Sequence, residues 1–263
     1  MNKNVLKITA GLLILAASCK KDNKNEKLPV NAYAVGNSNE LISFNVSRPS
    51  DTTVKAITGL QTGETIHAID MRPANNQLYA LGSTSRIYQI NTTTGVATAV
   101  GTIPFSPLLN GASFGFDFNP MVDRIRVISN TRQNLRINPE TGALAAQDTD
   151  INPGSPTVSA AAYNNNTSSA TTTSLYVIDA GTDKLYTFTG SPNGGVLTEV
   201  GALGVNVENN NGFDISGTDN KAYALLTSGG ITKLYSINLT TGAATAAGDF
   251  PVAAKGLALA LGL

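Results

Sequence analysis

The sequence predicts an all-β fold: a five-bladed β-propeller whose ring is closed by N-terminal strands pairing with the C-terminal strand. Three observations predict it. A strand phrase recurs down the chain, the intervals between its copies are nearly constant, and the two termini hold complementary fragments of one copy. Internal similarity at a fixed period marks a stacked or closed array of like units. The phrase is an apolar run ending in Asp, a turn, a Tyr-bearing strand, an Ile-Asn strand end, and then Thr-Gly. Composition agrees. Charged residues make up 14 % of the 263 positions, too few for the charged faces of long helices, while Thr, Ser, Asn and Gly suit short strands and turns.

The first 30 residues stand apart. Positive charge at Lys3 and Lys7, an apolar run from Ile8 to Ala17 and small residues before Cys19 form the layout of a secretory signal, too short to span a bilayer. Residues 1–18 are read as signal peptide and 19–29 as a tether, too polar to pack, following a lipidated Cys19. Leu15-Ala16-Ala17-Ser18-Cys19 resembles the lipobox of bacterial lipoproteins, and the Cys-Lys-Lys-Asp start is similar to lipoproteins of Bacteroidota. The resemblance implies export and a lipid anchor in the outer membrane, on its periplasmic or cell-surface side. Residues 30–263 are the propeller domain.

In this domain the fragments Ala32–Val35, Leu41–Asn45 and Val54–Thr58 match the second, third and fourth strands of a unit lacking its first. Full units follow. Their first strands end at Asp70, Asp117, Ala162 and Asp214, and a lone first strand ends at Ala258; the intervals are 47, 45, 52 and 44. The terminal strand therefore supplies what the first unit lacks, and closure protects edges that would otherwise template aggregation. A sixth copy would have to lie in Thr102–Ala112, which is too short. Gly115, Ala160–Ala162, Gly212 and Gly256 crowd the first strands, as expected where blades converge on an axis. Asn91…Gly95, Asn138…Gly142 and Asn238…Gly242 are hairpin turns in which Asn bonds its own turn and Gly takes positive φ. The longest insertion, Asn164–Ser174, and the segment Val205–Asn211 are expected to shape one face of the disc.

The segments Phe114–Pro120, Val122–Val127 and Gln133–Pro139, with Gly82–Arg86, Leu109–Gly111, Ala170–Tyr176 and Asn211–Ser216, resemble the bacterial domain-of-unknown-function family 4394 over roughly residues 31–261. The resemblance implies a secreted or surface propeller and carries over no activity.

Charge excludes some functions. Beyond residue 29 the chain holds 12 basic and 16 acidic residues, so nucleic acid, which needs a basic surface, is not an expected partner. With one His (His67) and one Cys (Cys19), no His/Cys metal cluster and no internal disulfide can form. There is no Gly-x-Ser-x-Gly elbow or phosphate loop. Three strand-end acids, Asp70, Asp117 and Asp214, have two readings: a partial ring of oxygen ligands for Ca²⁺, or caps on the turns that follow them. The Ala in two copies favours the caps. Blade three breaks the phrase: Arg124, Arg126, Arg132 and Arg136 lie within 13 residues, and Arg126 replaces the repeat Tyr. A buried guanidinium needs partners, and Asp70, Asp117 or Asp123 are the expected ones. Arg126 and Arg136, with Asn134 and with Arg72 from the next blade, are the candidate fork for a carboxylate, sulfate or phosphate on a ligand. The repeating Tyr residues are read as blade packing and His67 as a core histidine. The function expected is a monomeric, lipid-anchored envelope module binding a glycan, a peptide or an envelope protein. The alternatives are a cation-dependent hydrolase or lyase of the lactonase-propeller kind and a purely structural surface protein; of these readings the non-enzymatic ones are favoured, and no cofactor is expected beyond the Ca²⁺ reading.

Overall fold

The computed structural model describes residues 1, 29 and 31–262. The signal peptide, Cys19 and nearly all of the tether lie outside the described residues. Twenty strands, β1 (Ala32–Gly36) to β20 (Ala254–Leu259), form five four-stranded antiparallel sheets. The single helical element among the described residues is one 3₁₀ turn, Pro192–Gly194. No described helix is long and apolar enough to cross a membrane.

Each sheet is one blade, numbered here in ring order. Blade two is β4 (Ile66–Arg72), β5 (Gln77–Gly82), β6 (Arg86–Ile90) and β7 (Ala97–Val100). Blade three is β8 (Phe114–Asn119), β9 (Arg124–Ser129), β10 (Asn134–Ile137) and β11 (Leu144–Gln147). Blade four is β12 (Val158–Tyr163), β13 (Leu175–Asp179), β14 (Lys184–Phe188) and β15 (Leu197–Ala202), and blade five is β16 (Gly212–Ile215), β17 (Ala222–Ser228), β18 (Ile231–Ile237) and β19 (Ala244–Asp249). In blade one the strand order is β20-β1-β2-β3, with β2 at Glu40–Asn45 and β3 at Arg48–Ala56. The last strand of the chain is thus the innermost of the first blade, paired through Ala32↔Leu259 and Tyr33↔Ala258. The predicted closure and the count of five both hold. Thr102–Ala112 contains no strand.

Period and register translate into packing. The five apolar clusters map one to each seam between blades, because a sheet buried on both faces presents its side chains to two neighbours. The seam between blades three and four has the smallest cluster, eight residues around Ile128, Ile151 and Tyr163. At the axis the inner strands nearly touch: a Cβ on Gly212 would lie 2.4 Å from the Gly256 carbonyl carbon. The Thr-Gly turns have a second role beyond the hairpin. Gly142 takes φ 68° as its turn requires. A Cβ there would also sit 2.2 Å from the carbonyl oxygen of Val100 in the preceding blade. The turn is therefore also an interblade joint.

The inner strands all run in the same sense, so the loops leaving them gather at one end of the axis and those entering at the other. Asn164–Ser174 leaves β12 whereas Val205–Asn211 enters β16. They lie at opposite ends and do not share a face. The sequence shows that both are long, but a loop's end of the disc depends on whether it follows or precedes an inner strand.

Candidate functional site

A single register row runs across every blade at the level of the strand-end acids. It reads Asp70-Tyr79-Gln89-Thr98 in blade two, Ala162-Tyr176-Thr187-Thr198 in blade four and Asp214-Tyr223-Ser236-Thr245 in blade five. In blade one it is Ala258-Tyr33-Ser43-Thr53. In blade three it is Asp117-Arg126-Arg136-Ala146. Directly opposed residues share a sheet face, so the two arginines stand side by side where other blades put Tyr beside Ser, Thr or Gln.

Two adjacent guanidiniums repel, and an acid resolves the repulsion. Asp148, just past β11, accepts from Arg126 Nη1 at 2.7 Å and from Arg136 Nε and Nη2, each at 2.8 Å. Burial alone would raise the Asp148 pKa, but the bonds from Arg136 and Arg126 outweigh it and hold the carboxyl below its usual value. Arg126 is buried and further bonded to Asn134 Oδ1 (2.7 Å), Asn193 Oδ1 (2.8 Å) and the Tyr163 hydroxyl (3.3 Å). Asn134 in turn donates to the carbonyls of Thr149 and Pro192. The predicted partners Asp70, Asp117 and Asp123 are thus replaced by Asp148, which sequence reasoning missed. It lies outside the repeated phrase, but it follows β11 at the place opposite Asn134, which is the cue that register would have supplied.

Arg126, Arg136 and Tyr163 floor a cleft of about 360 Å³ between blades three and four, and Asp148 bonds both of its arginines. Its rim is Met121 and Val122 on one side and Thr173, Phe188, Ser191 and Asn193 on the other. Two guanidiniums against one carboxylate leave the floor with one net positive charge. Arg136 is about a third exposed, and its Nη1 has no hydrogen-bond partner among the described residues. Arg72 is not part of this cleft. It spans the seam between blades two and three, with Asp123 Oδ1 at 2.9 Å from its Nε and Glu140 and the Tyr79 hydroxyl as further partners. Four of the five predicted ligand residues therefore split by location: Arg126, Asn134 and Arg136 meet, and Arg72 is elsewhere. The fifth, Asp117, belongs to the axis.

At the axis Asp70, Asp117 and Asp214 converge, each offering a carboxylate oxygen within 4.8 Å of the others. None is exposed by more than 1 %. They are not turn caps. Asp70 accepts from its neighbour Met71 N–H (2.7 Å) and from Phe118 N–H of blade three (2.8 Å); Asp214 accepts from Ile215 and from Leu259 of blade one, both at 2.6 Å. Asp117 accepts from Tyr163 N–H of blade four at 2.9 Å. Each acid thus staples its inner strand to the next. Burial, and for Asp70 and Asp117 the neighbouring acids, push all three pKa values up, Asp214 to about 7. Tyr163 links the two sites: its N–H meets Asp117 and its hydroxyl meets Arg126.

His67 opens the inner strand of blade two at the other end of the axis. It is half-buried, with its ring 4.8 Å from that of Phe114, and burial followed by the Lys255 charge lowers its pKa.

The chain is similar to solved structures of TolB from Acinetobacter baumannii (11 % identity, TM-score 0.48, 84 % of this chain and 52 % of that one). It is also similar to a protein from Lactobacillus plantarum (17 %, 0.47, 87 % and 71 %). A third is PorZ, a surface component of the type-IX secretion system of Porphyromonas gingivalis (13 %, 0.39, 84 % and 29 %). The chain thus spans under a third of PorZ and about half of TolB. No curated protein matches it. A family match covers residues 40–260, nearly the whole ring, and the chain belongs to the family described as Domain of unknown function (DUF4394).

Proposed function

We propose that this protein is a lipid-anchored envelope module that binds the acidic sugar of a glycan in the cleft between blades three and four. The single observation that carries this reading is the Arg126–Asp148–Arg136 group: a buried, hydrogen-bonded floor with one surplus positive charge and an open guanidinium edge on Arg136. A guanidinium edge suits a carboxylate. The volume is at the lower end of small-ligand pockets, roughly 300–1,000 Å³. The hydroxyls of Thr173, Ser174, Thr187 and Ser191 and the amide of Asn193 suit a sugar's hydroxyls, and Phe188 gives an apolar wall. A hydrolase centred on the axial acids is not supported, because a substrate cannot reach carboxylates that are at most 1 % exposed.

Calorimetric titration with glucuronate and galacturonate oligomers, their neutral parent sugars and Glu-rich peptides tests the reading. Arg136→Gln is expected to weaken uronide binding about 10- to 100-fold, the worth of one charge-assisted bond, to leave neutral-sugar binding unchanged, and to keep the fold with a lowered thermal midpoint from its two lost bonds to Asp148. No uronide binding at millimolar concentration, or equal binding by the variant, overturns it; preference for the peptides reassigns the cleft to an acidic polypeptide. Anchoring is tested separately. Cells fed an alkyne fatty acid are expected to label the wild-type chain and not Cys19→Ala, and an unlabelled wild type removes the anchor.

A further inference from the structure

We infer that the ring axis holds one divalent, oxygen-seeking cation of the Ca²⁺ kind, bound by Asp70, Asp117 and Asp214 as a structural ion independent of the cleft. The carboxylate orientations are fixed from outside the triad. Five of their six oxygens each accept a backbone N–H, from Met71, Phe118, Tyr163, Ile215 and Leu259. The sixth, Asp117 Oδ2, is buried with no hydrogen-bond partner. An orphaned carboxylate oxygen in the interior is costly, and buried charges are either paired or bound to metal. Among the described residues no Lys, Arg or His bonds to any of the three acids. The second orphaned buried oxygen, Asn166 Oδ1, lies four residues beyond Ala162, where blade four lacks the Asp.

Size and chemistry select the ion. Three oxygens no more than 4.8 Å apart leave a position within about 2.8 Å of all of them, and modest tightening reaches the Ca–O range of roughly 2.3–2.6 Å. An all-oxygen donor set favours Ca²⁺, Mg²⁺ or Mn²⁺ over the softer metals. Because the acids sit on three different blades, one ion would join blades two, three and five, beyond the reach of any single hydrogen bond. With the triad closed to solvent, the ion enters as the ring forms, so loading is read on refolding.

Residues 31–263 contain all twenty strands and serve as the test protein. The chain is unfolded in urea with EDTA and refolded with either CaCl₂ or EDTA, then passed through a desalting column. One retained Ca²⁺ per chain by elemental analysis and a thermal midpoint about 5–10 °C above the EDTA sample are expected, the rise that an ion held tightly by the native state alone produces. Asp117→Asn, which keeps the shape and the Tyr163 bond, is expected to refold with neither the ion nor the rise. Loss of the ion on desalting together with equal midpoints overturns the inference, as does an Asp117→Asn protein that keeps both. Should that variant not refold, the wild-type stoichiometry and midpoint difference decide.

Discussion

Asp148→Ala is expected to cost about 3–5 kcal/mol of unfolding free energy, since removing one member of a buried pair strands the other charge. Arg126 is the stranded charge: its side chain is 2 % exposed and Asp148 is its sole ion-pair partner among the described residues. Asn134, Asn193 and Tyr163 would still bond it, but amides and a hydroxyl do not neutralise it. The repeat itself supplies the rescue. Four blades place Tyr at this row position, so Arg126→Tyr with Asp148→Ala is expected to recover most of the loss by exchanging an ionic seam for an aromatic one. Urea unfolding of both variants measures this. An Asp148→Ala cost under about 1 kcal/mol, the range of exposed pairs, would show that the seam does not depend on the ion pair.

Asp214→Ala is expected to have the second large effect, and its size should depend on pH. The change orphans the buried N–H groups of Ile215 and Leu259, worth about 1–3 kcal/mol each, and the Leu259 bond holds the strand that closes the ring. Against this, it relieves the crowding of three acids. With its pKa raised to about 7 in the fold, Asp214 binds more protons folded than unfolded between its ordinary carboxylate range and neutrality. Wild-type stability in EDTA is therefore expected to fall as pH rises across that window. Asp148 has the opposite sign: its lowered pKa contributes stability that is lost as pH falls below the ordinary carboxylate range. The two together place the optimum at the acid end of the Asp214 window. Asp214→Ala should flatten the neutral side, so its cost is larger at pH 5 than at pH 8. Thermal midpoints across pH check this; an equal cost at both values would show that Asp214 is ionised throughout.

The ring was legible because its information is periodic. Asp70, Asp117 and Asp214 recur at near-constant spacing, and the Val35 and Leu257 fragments are complementary only if the chain closes. What the acids bond to was not legible. Their acceptor contacts reach 45 to 48 residues along the chain, and nothing local to an Asp tells a turn cap from an interblade staple. Arg126 was visible as a broken phrase, but its partner was sought among acids that belong to the phrase, whereas Asp148 lies past the last strand of blade three and Asn193 in the turn between the third and fourth strands of blade four. Arg72 was placed with Arg126 on charge alone; register sends it to the opposite face of blade three, where Asp123 meets it.

Closure by the final strand sets a schedule for folding. Until Ala254–Leu259 has left the ribosome, blade one has no inner strand and Asp214 has no Leu259 to hold. Every shorter nascent chain is an open arc with two unsatisfied edges, and contacts so distant in sequence form slowly. The native disc thus forms only once the strand Ala254–Leu259 is available to lock blade one, so no shorter stretch of the ring can fold to its final state.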